Sequence, residues 1–192
     1  MPAEDKRGPE VPRPPLTLRL ATVADAEAIA RVHVRAWQES YRELLPAELL
    51  AGLSVERRRQ AWERELANPV KVPGILIAEV TGEVVGFAAA GPAREPAGGY
   101  AGELYAIYLL AAYQGRGHGR ALFAAAIRAL AAQGMTSMML WVLRDNPTRG
   151  FYGHLGGVEF AEQAIAIGGR DYQEVAYGWP ALPATTAACE SC

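Results

Sequence analysis

"YQGRGHGRALF", from Tyr113 to Phe123, places Gly115, Gly117 and Gly119 at every second position and then runs straight into the helix-forming ALFAAAIRAL. Glycine inside a helix costs about 0.5–1 kcal/mol relative to alanine, so this spacing predicts a tight loop that opens a helix. The apolar run ELYAIYLL (Glu103–Leu110) precedes it and reads as a strand. Strand, glycine loop and helix in that order make a phosphate site. First-turn N–H groups have no partner inside the helix, the dipole adds partial positive charge, and glycine lets a pyrophosphate approach. Arg116 and Arg120 can add charge at the rim. A tight turn with close helix–sheet packing accounts for the same glycines without a ligand.

On the N-terminal side, LTLRLA (Leu16–Ala21) alternates like a strand. TVADAEAIARVHVRAWQESY follows, with Thr22 and Asp25 as a capping-box start and Ile29, His33, Trp37 and Tyr41 at helical spacing. Pro46 restarts the chain, and SVERRRQAWERELAN (Ser54–Asn68) predicts a second, amphipathic helix. GILIAEV and EVVGFAAAG form a hairpin about Thr81-Gly82. Beyond the glycine loop, TSMMLWVL (Thr136–Leu143) reads as a strand, and NPTRGFYGHL as a helix with Asn146 at the N-cap and Pro147 at its first position. GVEFAEQAIAI and RDYQEVAYGW, parted by Gly168-Gly169, close the chain as a hairpin. The pattern predicts an α/β fold on a mixed sheet, parallel only across the crossover from Glu103–Leu110 to Thr136–Leu143.

With 192 residues, 51% of them hydrophobic, and a net charge of −2, the chain fits one globular domain. We expect that domain over residues 16–180, with a disordered tail at 1–15 and a flexible one at 181–192. The balanced charge argues against a nucleic-acid partner. Arg57, Arg58 and Arg59 look basic, but Glu56, Glu63 and Glu65 share their helix, which predicts a solvated face with Arg59 paired to Glu63. No apolar run approaches a membrane span and no secretory signal opens the chain, so the expected address is cytoplasmic, without a membrane partner. Cys189 and Cys192 have CxxC spacing, but they end a loose tail with no second pair, and no metal site is expected.

Two common nucleotide folds fit poorly. A dinucleotide site needs a carboxylate about 20 residues beyond its loop, and Met138–Leu140 offers none. A P-loop needs GK[ST], which His118-Gly119-Arg120-Ala121 does not supply. Gln114-Gly115-Arg116-Gly117-His118-Gly119 instead resembles the Q/RxxGxG/A loop of the GNAT superfamily of N-acetyltransferases. ELYAIYLLAAYQGRGHGRALF is similar to that family's fourth strand and third helix, and WVLRDNPTRGFYGHLGG to its fifth strand and following helix. The resemblance runs from Leu16 to about Trp179. It implies a mostly antiparallel sheet of six to seven strands flanked by about four helices, with a slot where the fourth and fifth strands splay apart.

The resemblance further implies acetyl-CoA as cosubstrate. Main-chain groups of Ile107, Tyr108 and Leu109 would pair with the pantetheine arm, and one N–H there would face the thioester oxygen. Gln114, Gly115, Arg116, Gly117, His118, Gly119 and Arg120 would hold the pyrophosphate, and Asn146 the thiol end. The other reading of His118 is a solvated loop histidine. Tyr152 matches the tyrosine that protonates the departing thiolate; the alternative is a core tyrosine. Gly150, where a larger residue is common, loosens the turn that holds it.

An amine acceptor is protonated at pH 7, at a cost of about 4.6 kcal/mol for a pKa near 10.4, so a base is needed. Some family members carry a catalytic glutamate at the position of Glu103, which shares a strand face with Tyr105 and Ile107; a solvated strand-end residue is the other reading. Trp37, Tyr41, Tyr105 and Trp141 can wall an acceptor site or be plain core, and His33 reads as a packed or hydrogen-bonded histidine. No cysteine lies in residues 16–180, which fits direct transfer through a ternary complex onto a primary amine of a small molecule or peptide. Polyamine, aminoglycoside, amino acid, peptide N-terminus and toxic amine all stay open. A homodimer through the closing strands also stays open. The rivals are a non-catalytic acyl-CoA-binding module and a nucleotide-binding protein that shares only the loop.

Overall fold

A computed structural model describes residues 14–68, 74–94 and 97–183; the parts of the expected tails at 1–13 and 184–192, with Cys189 and Cys192, lie outside the described residues. Seven strands form one sheet: β1 (Leu16–Leu20), β2 (Gly74–Val80), β3 (Glu83–Pro92), β4 (Gly102–Leu109), β5 (Met138–Leu143), β6 (Val158–Ile167) and β7 (Arg170–Trp179). Their order is β1-β2-β3-β4-β5-β7-β6, antiparallel everywhere except between β4 and β5. Helices α1 (Ala26–Ser40) and α3 (Val55–Leu66) cover one face and α4 (His118–Ala132) the other. This explains why β2 and β3 read as near-continuous apolar runs: a strand covered on both faces has no solvent side.

On the α1 face, Ile29, Ala30 and Trp62 pack against Ile77 and Phe87. On the α4 face, Leu122, Phe123, Ala126 and Leu130 pack against Val85, Leu140 and Val175. The Thr22–Asp25 start forms as expected, with the Thr22 N–H donating to Asp25 Oδ2 at 2.7 Å. Arg19, which also binds Glu79, holds the Asp25 carboxyl well below the usual carboxylate range. Ser54 caps α3, its hydroxyl accepting from the Arg57 N–H. Arg59 pairs with both Glu56 and Glu63, so the arginine run is a salt-bridged face.

Four details depart from expectation. Pro46 leads into a further short helix, α2 (Ala47–Ala51), too brief to show a period. β5 begins at Met138, not Thr136. Asn146 does not cap the next helix: α5 (Gly150–His154) starts four residues later behind Arg149. Asn146 Oδ1 instead accepts from the Thr148 N–H at 2.9 Å and its hydroxyl at 2.8 Å, closing a local turn that competes with helix.

The fourth departure decides how the site is built. Ala89 pairs with Ala106 but Ala90 with Leu104, so Tyr105 is an extra residue in β4, a bulge. Past it the alternation changes sides. Glu103 and Tyr105 share a face as expected, the one under α1, but Ile107 turns to the α4 side with Leu104 and Leu109, while Tyr108 joins the α1 side.

Candidate active site

β4 and β5 pair only at Gly102–Met138 and Glu103–Met139, and then separate. β4 is central in the sheet, yet its residues from Tyr105 to Tyr108 are only partly buried, because the space beside them is open. Every second residue of this stretch turns its N–H and C=O away from β3, where no strand meets them. An extended ligand can supply the missing partner. The expected splayed slot is present.

At the end of β4 the chain makes a 3-10 turn, Ala111–Tyr113, and enters the glycine loop. Gly115 (φ 70°) and Gly117 (φ 83°) are left-handed, and nothing lies within 4 Å of where a Cβ would stand on either. Gly117 is the N-cap of α4, with no side-chain cap, so the first-turn N–H groups face open space. Gln114 fastens the loop by donating from Nε2 to the Leu109 carbonyl at 2.8 Å. A cavity of about 420 Å³ runs from Gln114, Gly115, Gly117, Gly119 and Arg120, along Leu104–Leu109, to Asn146 and Tyr152. These residues fit a coenzyme A: a glycine cradle for the pyrophosphate, a free strand edge for the arm. Arg116 and His118 do not line the cavity. Arg116 lies over the Tyr113 ring at 5.8 Å, and His118 is part-buried in the first turn of α4 with no hydrogen bond to Nδ1.

Tyr152, on α5, lines the same cavity away from the glycine loop and packs against Phe151 and Tyr177. Burial, aided by the neighbouring Tyr41, pushes its phenol well above the ordinary range, so the proton stays on the oxygen. Asn146 is buried beside it, its oxygen already taken by Thr148.

A second cavity, of about 480 Å³, opens on the α1 face. Tyr41, Tyr105, Tyr108, Trp141 and Val142 line both cavities, so the two adjoin across these side chains. All four aromatics considered for the acceptor lie on this second cavity, and Trp37 and Tyr41 meet edge to face at 5.2 Å. Glu103 is there too, 3% exposed and not solvated. Arg94 engages it through its backbone N–H at 3.0 Å, Nε at 3.1 Å and its terminal guanidinium nitrogen. Arg94 also covers the Tyr105 ring at 4.9 Å, while the Tyr105 hydroxyl donates to the Pro92 carbonyl.

His33 lies behind this wall, stacked on Tyr108 at 5.2 Å and accepting from Trp62 Nε1 at 3.3 Å, so it is a packed histidine as expected. Burial first, and Arg58 second, push its pKa down to about 3. Sequence reasoning missed Arg94, Gln163 and Glu174, which also line the cavity. Arg94 sits in a loop without period. Glu174 left one faint sign, a charge on the inward side of a strand that is otherwise apolar there, opposite Leu143.

The Acetyltransferase (GNAT) family matches residues 29–156, and the chain belongs to it. It is 38% identical over 170 residues to the uncharacterized N-acetyltransferase YuaI of Bacillus subtilis (strain 168), covering 88% of this chain and 95% of that one. Over 129 residues it is 34% identical to the mycothiol acetyltransferase of Amycolatopsis mediterranei (strain U-32), covering 64% of this chain and 38% of that one. Among solved structures, the PaiA N-acetyltransferase of Thermoplasma acidophilum, in complex with coenzyme A, superposes with a TM-score of 0.65 at 18% identity, covering 84% and 98% of the two chains. Salmonella typhimurium yncA, with its cofactor acetyl-CoA, gives 0.64 at 23% identity, covering 91% and 99%. The protein is therefore an acyltransferase of the N-acetyltransferase class. Among the described residues no helix is long and apolar enough to cross a membrane, and no group of three or more His, Cys, Asp or Glu could hold a metal.

Proposed function

We propose that the enzyme transfers the acetyl group of acetyl-CoA directly to a primary amine of a small molecule or peptide, with both substrates bound at once. The observation that carries this is a pair of adjoining cavities: one with a glycine cradle, the other aromatic and acidic, with five side chains common to both. Gln114, Gly115, Gly117, Gly119 and Arg120 hold the pyrophosphate, with Arg116 adding charge from outside the cradle and His118 beside it at the start of α4. Main-chain groups of Ile107, Tyr108 and Leu109 align the arm, and Asn146 flanks its thiol end.

The amine nitrogen bonds to the acetyl carbon as the carbon–sulfur bond breaks, and the sulfur takes the electron pair. Tyr152, at the end of the cavity beside Asn146, gives the sulfur its proton. The proton leaving the amine goes to Glu103, through water, since Arg94 already fills three of the carboxylate's acceptor positions. Trp37, Tyr41, Tyr105 and Trp141 wall the acceptor. A cytoplasmic location belongs to this reading, as does the option of a homodimer through the free edge of β6.

Thermal melts with acetyl-CoA, coenzyme A, ADP and NAD test the donor half. Acetyl-CoA or coenzyme A at 100 times Kd should add about 2.7 kcal/mol, a rise of several degrees. Stabilisation by ADP or NAD alone, or by none of the four, would overturn the reading.

A further inference from the structure

Resting on the reading above, we propose that Glu174 anchors a second cationic group of the acceptor, so that the preferred substrates are diamines and not simple monoamines. Glu174 is 8% exposed and lines the acceptor cavity, but not the cavity that ends at Tyr152. Its carboxylate accepts one hydrogen bond, from the neutral amide of Gln163 at 2.7 Å. Among the described residues, no cationic nitrogen lies within 4.0 Å of it.

The other buried carboxylate in the cavity, Glu103, has its counter-ion in Arg94. Arg94 also feels Glu174 at longer range, but one arginine faces two carboxylates, so the cavity carries one negative charge in excess. A carboxylate held out of water without a cation is costly, and a ligand that brings one repays the cost. The aromatic faces nearby also favour a cation. Leu143, Ile165 and Ile167 line the same cavity and suit a methylene chain. The reacting nitrogen must shed its proton to attack; a group held at Glu174 keeps its charge. One acceptor therefore needs two nitrogens.

The test measures thiol release by the full-length protein with acetyl-CoA and either 1,4-diaminobutane or butylamine. We expect kcat/KM for the diamine to exceed that for butylamine about tenfold or more, the size of a charge-assisted contact, with the difference in KM. Glu174→Gln should raise the diamine KM and bring the ratio close to one, and Glu174→Asp should keep part of the preference. A wild-type ratio near one, or equal losses on both amines in Glu174→Gln, would overturn the proposal. If the variant no longer gains stability from acetyl-CoA, or neither amine turns over, wild-type melts with coenzyme A decide. There a bis-trimethylammonium butane should stabilise more than butyltrimethylammonium, and equal effects would overturn the proposal. Absence of any response to acetyl-CoA or coenzyme A identifies a failure of the acetyl-CoA reading itself.

Discussion

The two halves of the slot are assembled in opposite ways. Its donor half comes almost entirely from Leu104–Arg120 and Leu140–Tyr152, with Ser40 and Tyr41 added from the end of α1. Its acceptor half draws on more of the chain: Trp37, Tyr41 and Leu45 in and beyond α1, Arg94 from a loop, Glu103, Tyr105 and Tyr108 from β4, Trp141–Leu143 from β5, Gln163, Ile165 and Ile167 from β6, and Glu174 from β7. A ligand held by backbone N–H groups and a free strand edge needs glycines and chain geometry, which are local. A ligand held by side chains needs only that remote chains converge, and beyond local pairs such as Trp37 and Tyr41 convergence leaves little spacing to read.

If this contrast is real, variants in the two halves should separate in their kinetics. The largest effect belongs to Tyr152→Phe, which should lower kcat about 100-fold and leave acetyl-CoA affinity nearly unchanged. Turnover at the wild-type rate would remove Tyr152 from the chemistry. Glu103→Gln should lower kcat/KM about tenfold and flatten its rise with pH; an unchanged pH–rate profile would mean that water alone takes the proton. Gly117→Val forces a β-branched residue into the left-handed N-cap and should weaken acetyl-CoA binding about tenfold, read by calorimetry, with the acceptor KM unmoved. An equal change in both constants would break the separation of the halves. Trp37→Ala should do the reverse on a smaller scale, raising the acceptor KM a few-fold at constant acetyl-CoA affinity.

The smallest effect at neutral pH concerns the wall behind the acceptor cavity. His33 has its pKa lowered from 6.5 to about 3, so the unfolded chain binds a proton there that the folded chain refuses. Stability from this group is complete above pH 6.5 and falls as pH drops towards 3, by up to about 1.4 kcal/mol per unit. His33→Phe should make acid melts shallower across that window while neutral activity survives. Equal slopes in both proteins would show that His33 takes up its proton without unfolding.

The physical contrast also explains what was legible. The hairpin at Thr81-Gly82, the crossover and the glycine loop carry their own turn chemistry, so they could be read and are found where expected. Asn146 was read as a helix cap because the sequence NPT satisfies that rule; the same oxygen found nearer donors in Thr148. His118 sits among the glycines, yet it opens α4 and does not line the cavity. Ile107 was placed beside Glu103 by counting in twos, which a bulge at Tyr105 invalidates. Arg94 and Glu174 meet the cavity only through the folded sheet, and no local pattern announces either one.

That bulge carries a practical consequence for anyone re-engineering the enzyme. Side chains alternate strictly in a strand, so removing one residue between Gly102 and Tyr105 would carry Glu103 or its neighbours out of phase with everything after them. Tyr108 would leave His33, and Ile107 would leave the α4 side. The length of β4 is therefore fixed, and Glu103 is committed to Arg94 and to the proton, which leaves Tyr105 as the position to exchange. New acceptors are to be sought by substitution there, and libraries that insert or delete residues in this strand should yield no folded enzyme.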